Sequence, residues 1–241
     1  MMLSKKIIKL WKYKWVLRSI FKTVFFNFHY LPFKQAIKLP IFLYKPRFKN
    51  LKGSIVIDTN KIKPGMILLG YDSVSVYPNS GIIIDNNGGK IIFKGETTIG
   101  NNSAISIGKN AILCLGERFT GSTTLKIICY YKITFGTDVR IGWNNTFMDT
   151  DLHSMIKIAT NTHTKGYGQI KIGDNNWFGM NCVIMKNTVT PDFCTIAGTS
   201  LLNKDYSEFP KYTIIGSDKH ISILRTGVYR DWRNDKINYN N

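Results

Sequence analysis

The feature that most constrains this chain is a six-residue motif that recurs between residues 99 and 177. Each copy begins with a bulky apolar residue and Gly, continues with polar turn residues such as Asn and Asp, and often ends on a small or β-branched residue. The copies begin at Ile99, Ile107, Phe135, Ile141 and Ile172. Two of them follow each other directly, so the period of six is repeated in tandem.

A period of six is explained by a solenoid whose cross-section has three sides. Each side points an aliphatic side chain into the interior, and each corner takes Gly, Asn or Asp because these residues tolerate positive φ. Three sides make a coil of about 18 residues, and stacked coils bury an apolar column that no single coil could bury. The alternative, a β-sandwich, requires longer alternating strands at a spacing of about 8–12 residues. We therefore predict an all-β solenoid.

Composition indicates an ordered chain with reduced thiols. The 241 residues include 20 Gly and 7 Pro, and 13% are aromatic, which argues against disorder and against collagen-like structure. The four Cys are scattered, and no two have the C-x-x-C spacing of zinc or redox sites. We expect ordinary thiols in a cytoplasmic protein and no metal.

The positive charge is concentrated at the N-terminus. The net charge is +18, and no acidic residue precedes Asp58. Apolar residues recur in this basic arm, residues 1–52, at steps of three and four, which predicts an amphipathic helix. They are Leu10, Trp11, Trp15, Val16, Ile20, Phe21, Val24, Phe25 and Phe28.

Two interpretations of the basic arm remain open. Its aromatic face can lie among the headgroups at the inner face of the cytoplasmic membrane, or the helix can pack on the protein with its lysines in water. A spanning helix is not expected, because the longest interval without charge, residues 23–33, is far shorter than the required length of about 18. No cleavable signal peptide and no nucleic-acid-binding motif is found.

Two further motifs connect the repeats with a known family. Residues 172–180 read Ile-Gly-Asp-Asn-Asn-Trp-Phe-Gly-Met, and residues 196–205 read Ile-Ala-Gly-Thr-Ser-Leu-Leu-Asn-Lys-Asp. Together with the hexads, over about residues 91–225, they resemble the hexapeptide-repeat acyltransferases, in particular the sugar and polysaccharide O-acetyltransferases of surface-glycan synthesis. The resemblance implies a left-handed parallel β-helix, a homotrimer with active sites between subunits, and acetyl-CoA as the acyl donor.

Moving an acetyl group from sulfur to oxygen requires a base, an oxyanion donor and groups that hold both substrates. One long insertion, residues 149–169, interrupts the hexads, and we expect the site there. Extended geometry in its Asp-x-Asp-x-His motif would put Asp149, Asp151 and His153 on one side of the strand. A carboxylate could then orient the imidazole. The resemblance implies that His153 is the general base.

Three other residues are considered either as parts of the acceptor site or as residues without a role in the reaction. His163 lies in the same insertion without neighbouring carboxylates, and is interpreted either as a solvated loop residue or as an acceptor-binding one. Trp143, in the hexad before the insertion, is a second candidate for acceptor binding. His29 belongs to the basic arm and is given no catalytic role.

The resemblance also assigns residues to the thioester end of the acyl donor. It implies that Trp177 packs near the thioester and that the backbone N–H of Met180 binds the thioester carbonyl. Gly179 lies between them, and its missing side chain would let a substrate approach the main chain.

The remaining donor contacts are implied one coil further on. There the backbone of Gly198 and Thr199 would meet the pantetheine arm, and Lys204 would lie near the phosphates of the donor. The sequence departs from the family after this point: residues 216–220 read Gly-Ser-Asp-Lys-His, where Gly-x-Pro-Ala and a basic residue are common. No phosphate contact is therefore assigned to that stretch.

Two segments do not follow the hexad register. In residues 113–134 the register is broken, and we expect a bulged or distorted coil. Residues 53–90 are interpreted either as the first coils or as a separate cap. In the first case four side chains point inward, those of Ile55, Ile57, Ile82 and Ile84.

The sequence thus predicts three segments. They are a basic helical arm (1–52), a β-helix with its insertion (53–205) and a C-terminal extension (206–241). The predicted activity is acetyl-CoA-dependent O-acetylation of a sugar in a capsule, O-antigen or other surface polysaccharide or its lipid-linked precursor. An N-acyltransferase of a nucleotide-linked amino sugar is the alternative. A metalloenzyme or an inert scaffold on the same solenoid is a third reading, but a metal would need three histidines, and only His153 and His163 lie in the repeats.

Overall fold

The computed structural model describes residues 18–72, 74–216 and, for the backbone, 228–230. The chain begins there with a helix, α1 (Ile20–Tyr30), and one helical turn, α2 (Phe33–Ala36). The strands that follow form three parallel sheets, and hydrogen-bonded neighbours in each sheet are separated by one full coil.

The first sheet contains β1 (Ile41–Leu43), β4 (Ile67–Tyr71), β7 (Thr97–Gly100), β10 (Phe119–Gly121), β13 (Arg140–Ile141), β18 (Trp177–Phe178), β20 (Thr195–Ile196) and β22 (Ile214–Ile215). The second contains β2 (Pro46–Leu51), β5 (Ile82–Asn86), β8 (Ser103–Ile107), β11 (Lys126–Cys129), β14 (Thr146–Met148), β19 (Val183–Met185) and β21 (Leu201–Leu202). The third contains β3 (Ser54–Ile57), β6 (Lys90–Phe93), β9 (Ile112–Leu115), β12 (Lys132–Phe135) and β17 (Ile170–Ile172).

The corners explain why the hexads take this form. Past the insertion, a residue with positive φ recurs at every sixth position. These residues are Asn175, Asn181, Asn187, Phe193 and Thr199. Asn adopts this conformation at low cost, so the polar hexad positions mark the corners of the coil. The predicted fold class, a left-handed parallel β-helix with an N-terminal helix, is confirmed.

The interior of the coils is filled by a chain of four phenylalanines. The ring centroids of Phe119 and Phe135 lie 4.9 Å apart, those of Phe135 and Phe147 4.9 Å, and those of Phe147 and Phe178 5.2 Å. All three pairs meet edge to face, the arrangement that the ring quadrupole favours. All four rings are buried, so each shields its neighbours from water.

The solenoid extends beyond both predicted boundaries. Strands β1 and β2 lie within residues 1–52, which were assigned to the arm, and β22 lies beyond residue 205. The hexad pattern does not predict these first strands. In β1, Ile41 and Leu43 are buried in alternation, but no apolar–Gly motif accompanies them. Residues 53–90 form the first coils and not a separate cap, and the four isoleucines named for them are buried.

The coils through residues 113–134, expected to be distorted, are longer than about 18 residues but keep their strand register: Lys126 pairs with Ala104, 22 positions earlier, and Lys132 with Ile112, 20 positions earlier. Ile127 pairs in register with Ile105 on one side and with Phe147 on the other. Cys129 is fully buried at the end of β11 and packs as a small apolar residue, so it does not disturb the ladder. Among the strands described here, register shifts lie instead between residues 48 and 51 and between residues 69 and 71.

Helix α1 covers the first edge of the solenoid through a polar ladder. Ser19, Thr23 and Asn27 each accept a hydrogen bond from a backbone N–H, at 3.0, 3.3 and 3.1 Å. The donors, in the same order, are Lys45, Leu43 and Ile41. Four helical residues rise about 6 Å and two strand residues about 6.6 Å, so the two periods match. The ladder satisfies the N–H groups at an edge that would otherwise be open.

This ladder decides which face of α1 packs on the protein. The buried residues are polar apart from Phe26, whereas four of the five described residues of the predicted apolar stripe, all but Ile20, are exposed. The part of that stripe before residue 18 lies outside the described residues. Within the described ranges, no helix has both the length and the apolar character needed to cross a bilayer.

We predict that Phe147→Ala lowers the free energy of unfolding by about 3–5 kcal/mol, because it leaves a cavity among buried aromatic rings. Urea denaturation followed by circular dichroism measures this change. Phe21→Ala is the matched control, because its side chain is 89% exposed, and it should change the free energy by less than about 0.5 kcal/mol. Similar losses in both variants would contradict the stacked core.

Candidate functional site

The insertion leaves the coil between β14 and β17 and folds into a small antiparallel sheet. Its strands are β15 (Met155–Lys157) and β16 (Thr162–His163), and β15 also pairs with β23 (Val228–Arg230) from the C-terminal end of the chain. An isolated bridge between Thr150 and Tyr167 closes the base of the insertion. The predicted loop therefore has regular secondary structure, and strand β23 from the C-terminal segment pairs with it.

Asp149 has a structural position at the base of the insertion. Its carboxylate is fully buried and accepts hydrogen bonds from the N–H groups of Tyr130, at 2.7 Å, and Tyr131, at 2.9 Å. Burial raises the pKa of Asp149 above its ordinary value of 3.8, and these two hydrogen bonds oppose the rise. The carboxylate therefore anchors the start of the insertion to the preceding coil.

The extended geometry expected for Asp149, Asp151 and His153 is not formed. Leu152 has a φ of +57°, which turns the chain between Asp151 and His153 and breaks the alternation of side chains. Asp151 forms an ion pair with Lys186. Within the described ranges neither carboxylate is hydrogen-bonded to half-buried His153. The expectation that they orient this imidazole is therefore not supported by the geometry.

His163 lies on β16 and faces a cavity. Its Nδ1 atom lies 3.0 Å from the Oγ atom of Ser154, which is buried. The cavity, of about 720 Å³, lies between the insertion and the coils that follow it, and is large enough for a small ligand. Asp151 and Lys204 also line it, so three of the predicted site residues meet here although they span more than 50 positions of sequence.

The wall of this cavity is strongly basic. Besides Lys204 it contains Lys157, Lys165 and Lys186, which the sequence did not single out, against one carboxylate. Lys186 is engaged by Asp151 and by the carbonyl of Lys165. The remaining ammonium groups favour an anionic ligand. Nothing in the sequence marks these lysines as a group, because only the fold-back of the insertion brings them together.

The predicted donor residues lie at a different edge. Trp177 and Met180 are half-exposed at the corner between the first and second sheets, whereas the insertion leaves at the corner between the second and third. Strands of the second sheet, about 10 Å long at three residues, separate the two corners. Within one chain, the structure therefore brings only Lys204 of the predicted donor residues to the cavity, and Trp177, Gly179, Met180, Gly198 and Thr199 lie at the other corner.

The donor corner offers backbone hydrogen-bond donors. Among the residues described, no acceptor is found for the backbone N–H groups of Met180 and Gly198. The N–H of Thr199 donates to the Met180 carbonyl at 2.8 Å and is therefore already used. Trp143 lies at this same corner, since its carbonyl accepts from Asn181 at 2.9 Å, and not in the cavity where an acceptor role would place it.

Gly179 is required by the stacking of the coils. A Cβ atom at this position would lie 2.7 Å from the backbone nitrogen of Gly198 in the next coil. This contact is shorter than real Cβ contacts allow, so coil stacking alone explains the glycine. The reason expected from the sequence, close approach of a substrate, is not needed.

The described residues contain no group of three or more His, Cys, Asp and Glu side chains that could hold a metal ion. The four cysteines are buried free thiols. Burial raises the pKa of Cys129 far above its ordinary range, so this thiol is protonated at neutral pH.

Comparisons with known proteins find similarity to a solved structure. No family model and no curated protein matches the chain. The chain is similar to the crystal structure of the polySia-specific acetyltransferase NeuO, with 19% sequence identity and a TM-score of 0.45. The similarity covers 64% of this chain and 70% of that one. At this level, function has to be argued from the chain's own residues.

The buried carboxylate generates a prediction about pH. Because the native pKa of Asp149 is raised, its contribution to stability is complete below its ordinary pKa and is lost as the pH rises through the native pKa. The free energy of unfolding of wild type, minus that of Asp149→Asn, should therefore fall as the pH rises above about 4, the ordinary pKa of an aspartate. The total fall is about 1.4 kcal/mol for each tenfold difference in the proton affinity of Asp149 between the folded and unfolded states. Denaturant titrations at several pH values measure it, and a difference that is constant with pH would contradict the assignment.

Proposed function

We propose that the protein is an acetyl-CoA-dependent O-acetyltransferase. It transfers an acetyl group to a sugar hydroxyl of a surface polysaccharide, such as a capsule or O-antigen, or of its lipid-linked precursor. The observation that carries this proposal is the basic cavity under the insertion, where Asp151, His163 and Lys204 converge. It supports an acceptor-binding role for His163, one of the two interpretations of that residue, and the phosphate contact that the resemblance to hexapeptide-repeat O-acetyltransferases implies for Lys204.

His153, which lies in the insertion but not among the residues that line the cavity, is proposed as the general base. It removes the proton of the acceptor hydroxyl while that oxygen forms its bond to the acetyl carbon, and it returns the proton to the sulfur when the carbon–sulfur bond breaks. Both substrates are bound together, so the acetyl group is transferred directly. Asp149 acts as a support for the insertion, and Asp151 holds Lys186 at the cavity wall.

The donor corner suits the pantetheine arm of acetyl-CoA. An extended arm carries amide and thioester carbonyls. The N–H groups of Met180 and Gly198, which have no acceptor in the part of the chain that the structure describes, are donors for such oxygens. Half-exposed Trp177 offers an apolar surface beside them. Thr199 would contribute through its side chain, since its N–H is used within the coil. In the cavity, Lys204 supplies charge for the phosphates.

The separation of the two edges is the reason to propose a homotrimer. In a ring of three parallel solenoids, the donor corner of one chain can adjoin the insertion of its neighbour. Each active site then takes His153 and the cavity from one subunit and Trp177, Met180 and Gly198 from the next. One chain alone holds only half of each site.

We predict that His153→Ala lowers turnover by about 10²–10⁴-fold, the usual contribution of a general base. The assay follows the free thiol released from acetyl-CoA with a panel of glycans, and acceptors with a free amine separate N- from O-acylation. His163→Ala should mainly raise the KM for the acceptor. His29→Ala, in the N-terminal helix, is the control and should leave turnover unchanged. If His153→Ala retains activity and His163→Ala loses it, the base is His163.

A shared site can be tested by subunit mixing. We predict that His153→Ala and Gly198→Trp, which would fill the donor corner, are each inactive alone but recover activity when co-expressed. With random assembly, three quarters of the trimers are mixed and each has one intact interface in three, so about a quarter of wild-type activity returns. Mixed trimers without recovered activity would contradict a site between subunits.

A further inference from the structure

The outward surface of the N-terminal helix is apolar and continuous with the turn that follows it. This aromatic face consists of Phe21, Val24, Phe25, Phe28, Phe33 and Ile37, all of them exposed. Phe21 is 89% and Phe33 70% exposed, and the rings of Phe28 and Phe33 lie 6.0 Å apart. Soluble surfaces rarely expose so many neighbouring aromatic rings without a partner for them.

The orientation of the aromatic face is fixed by the polar ladder beneath it. Asn27 also donates to the carbonyls of Thr23 and Ile41, at 2.8 and 2.7 Å, so both ends of its amide are used. On the same inner face, Phe26 stacks on Phe48 with centroids 5.4 Å apart. Turning the aromatic face inward would break these contacts and leave buried polar groups unpaired. The helix therefore cannot hide its phenylalanines by rotating.

The surroundings of the aromatic face are basic throughout. From residue 18 to residue 52 the chain has eight bases and no acid. They are Arg18, Lys22, Lys34, Lys38, Lys45, Arg47, Lys49 and Lys52, and all are exposed. A second copy docked face to face would bring two such surfaces together, and their like charges would oppose it. An anionic surface is complementary.

We propose that the aromatic face docks on an anionic lipid bilayer, with its rings among the headgroups and the surrounding bases on lipid phosphates. Aromatic rings flanked by Lys and Arg are the side chains that favour this interfacial zone. The docking needs neither acetyl-CoA nor the insertion, so it is independent of the proposed activity. It places the first coil of the solenoid against the membrane.

The test is co-flotation of the full chain with vesicles of phosphatidylcholine containing about a third phosphatidylglycerol. Wild type should bind these vesicles, bind phosphatidylcholine alone at least about tenfold more weakly, and dissociate at about 1 M salt. The triple variant Phe21→Ser, Phe25→Ser, Phe28→Ser should lose binding by at least about tenfold. Unfolding curves that match those of wild type show that the variant is folded.

The matched control changes three exposed aromatic residues at the other end of the solenoid, as Phe193→Ser, Phe209→Ser, Tyr212→Ser, and should bind vesicles like wild type. Equal losses in both triple variants, or unchanged binding of the first, would overturn the proposal. The proposal would also be overturned if wild type did not bind vesicles and only the first triple variant sedimented as a smaller oligomer. That result would make the aromatic face a contact between copies.

Discussion

The structure depends on one backbone constraint, a residue with positive φ at most corners of the coil. Asn175, Asn181 and Asn187 turn the chain at similar φ values of 55, 60 and 68°, so the strands that follow them lie above the strands one coil earlier. Parallel pairing and the stacked phenylalanines follow from this repeated turn. The insertion can leave the coil between β14 and β17 because both of those strands stay paired with the neighbouring coils.

The proposed site has two halves because its residues lie at two different corners of a three-sided prism. The corner that carries Met180 and Gly198 and the corner that carries the insertion belong to opposite ends of the second-sheet strands. A single prism is convex, so these two corners face away from each other, and in the proposed trimer a groove that joins the two halves would form between neighbouring prisms. The charge of the cavity, which comes from several lysines, would draw anionic substrates toward that groove.

Much of the fold could be predicted from the sequence, because the hexads are local and each one encodes its own corner. The first strands could not be predicted in this way, because Ile41 and Leu43 are not part of a hexad motif. The site was less accessible to sequence reasoning. The turn at Leu152 depends on contacts within the insertion, and the basic wall depends on chain segments that are distant in sequence. The periodicity predicts the apolar stripe of α1 but not whether it faces the protein or the solvent. The backbone N–H groups of β1 decide this, because they bind the polar face of the helix.

The polar ladder of α1 has a consequence for the growth of such solenoids. Ser19, Thr23 and Asn27 occupy the backbone donors that another coil would need, so no strand can be added before β1. The same block prevents two molecules from joining end to end into a filament at this terminus. Duplication of repeats could then lengthen the prism within the stack or at its far end, but not ahead of the helix.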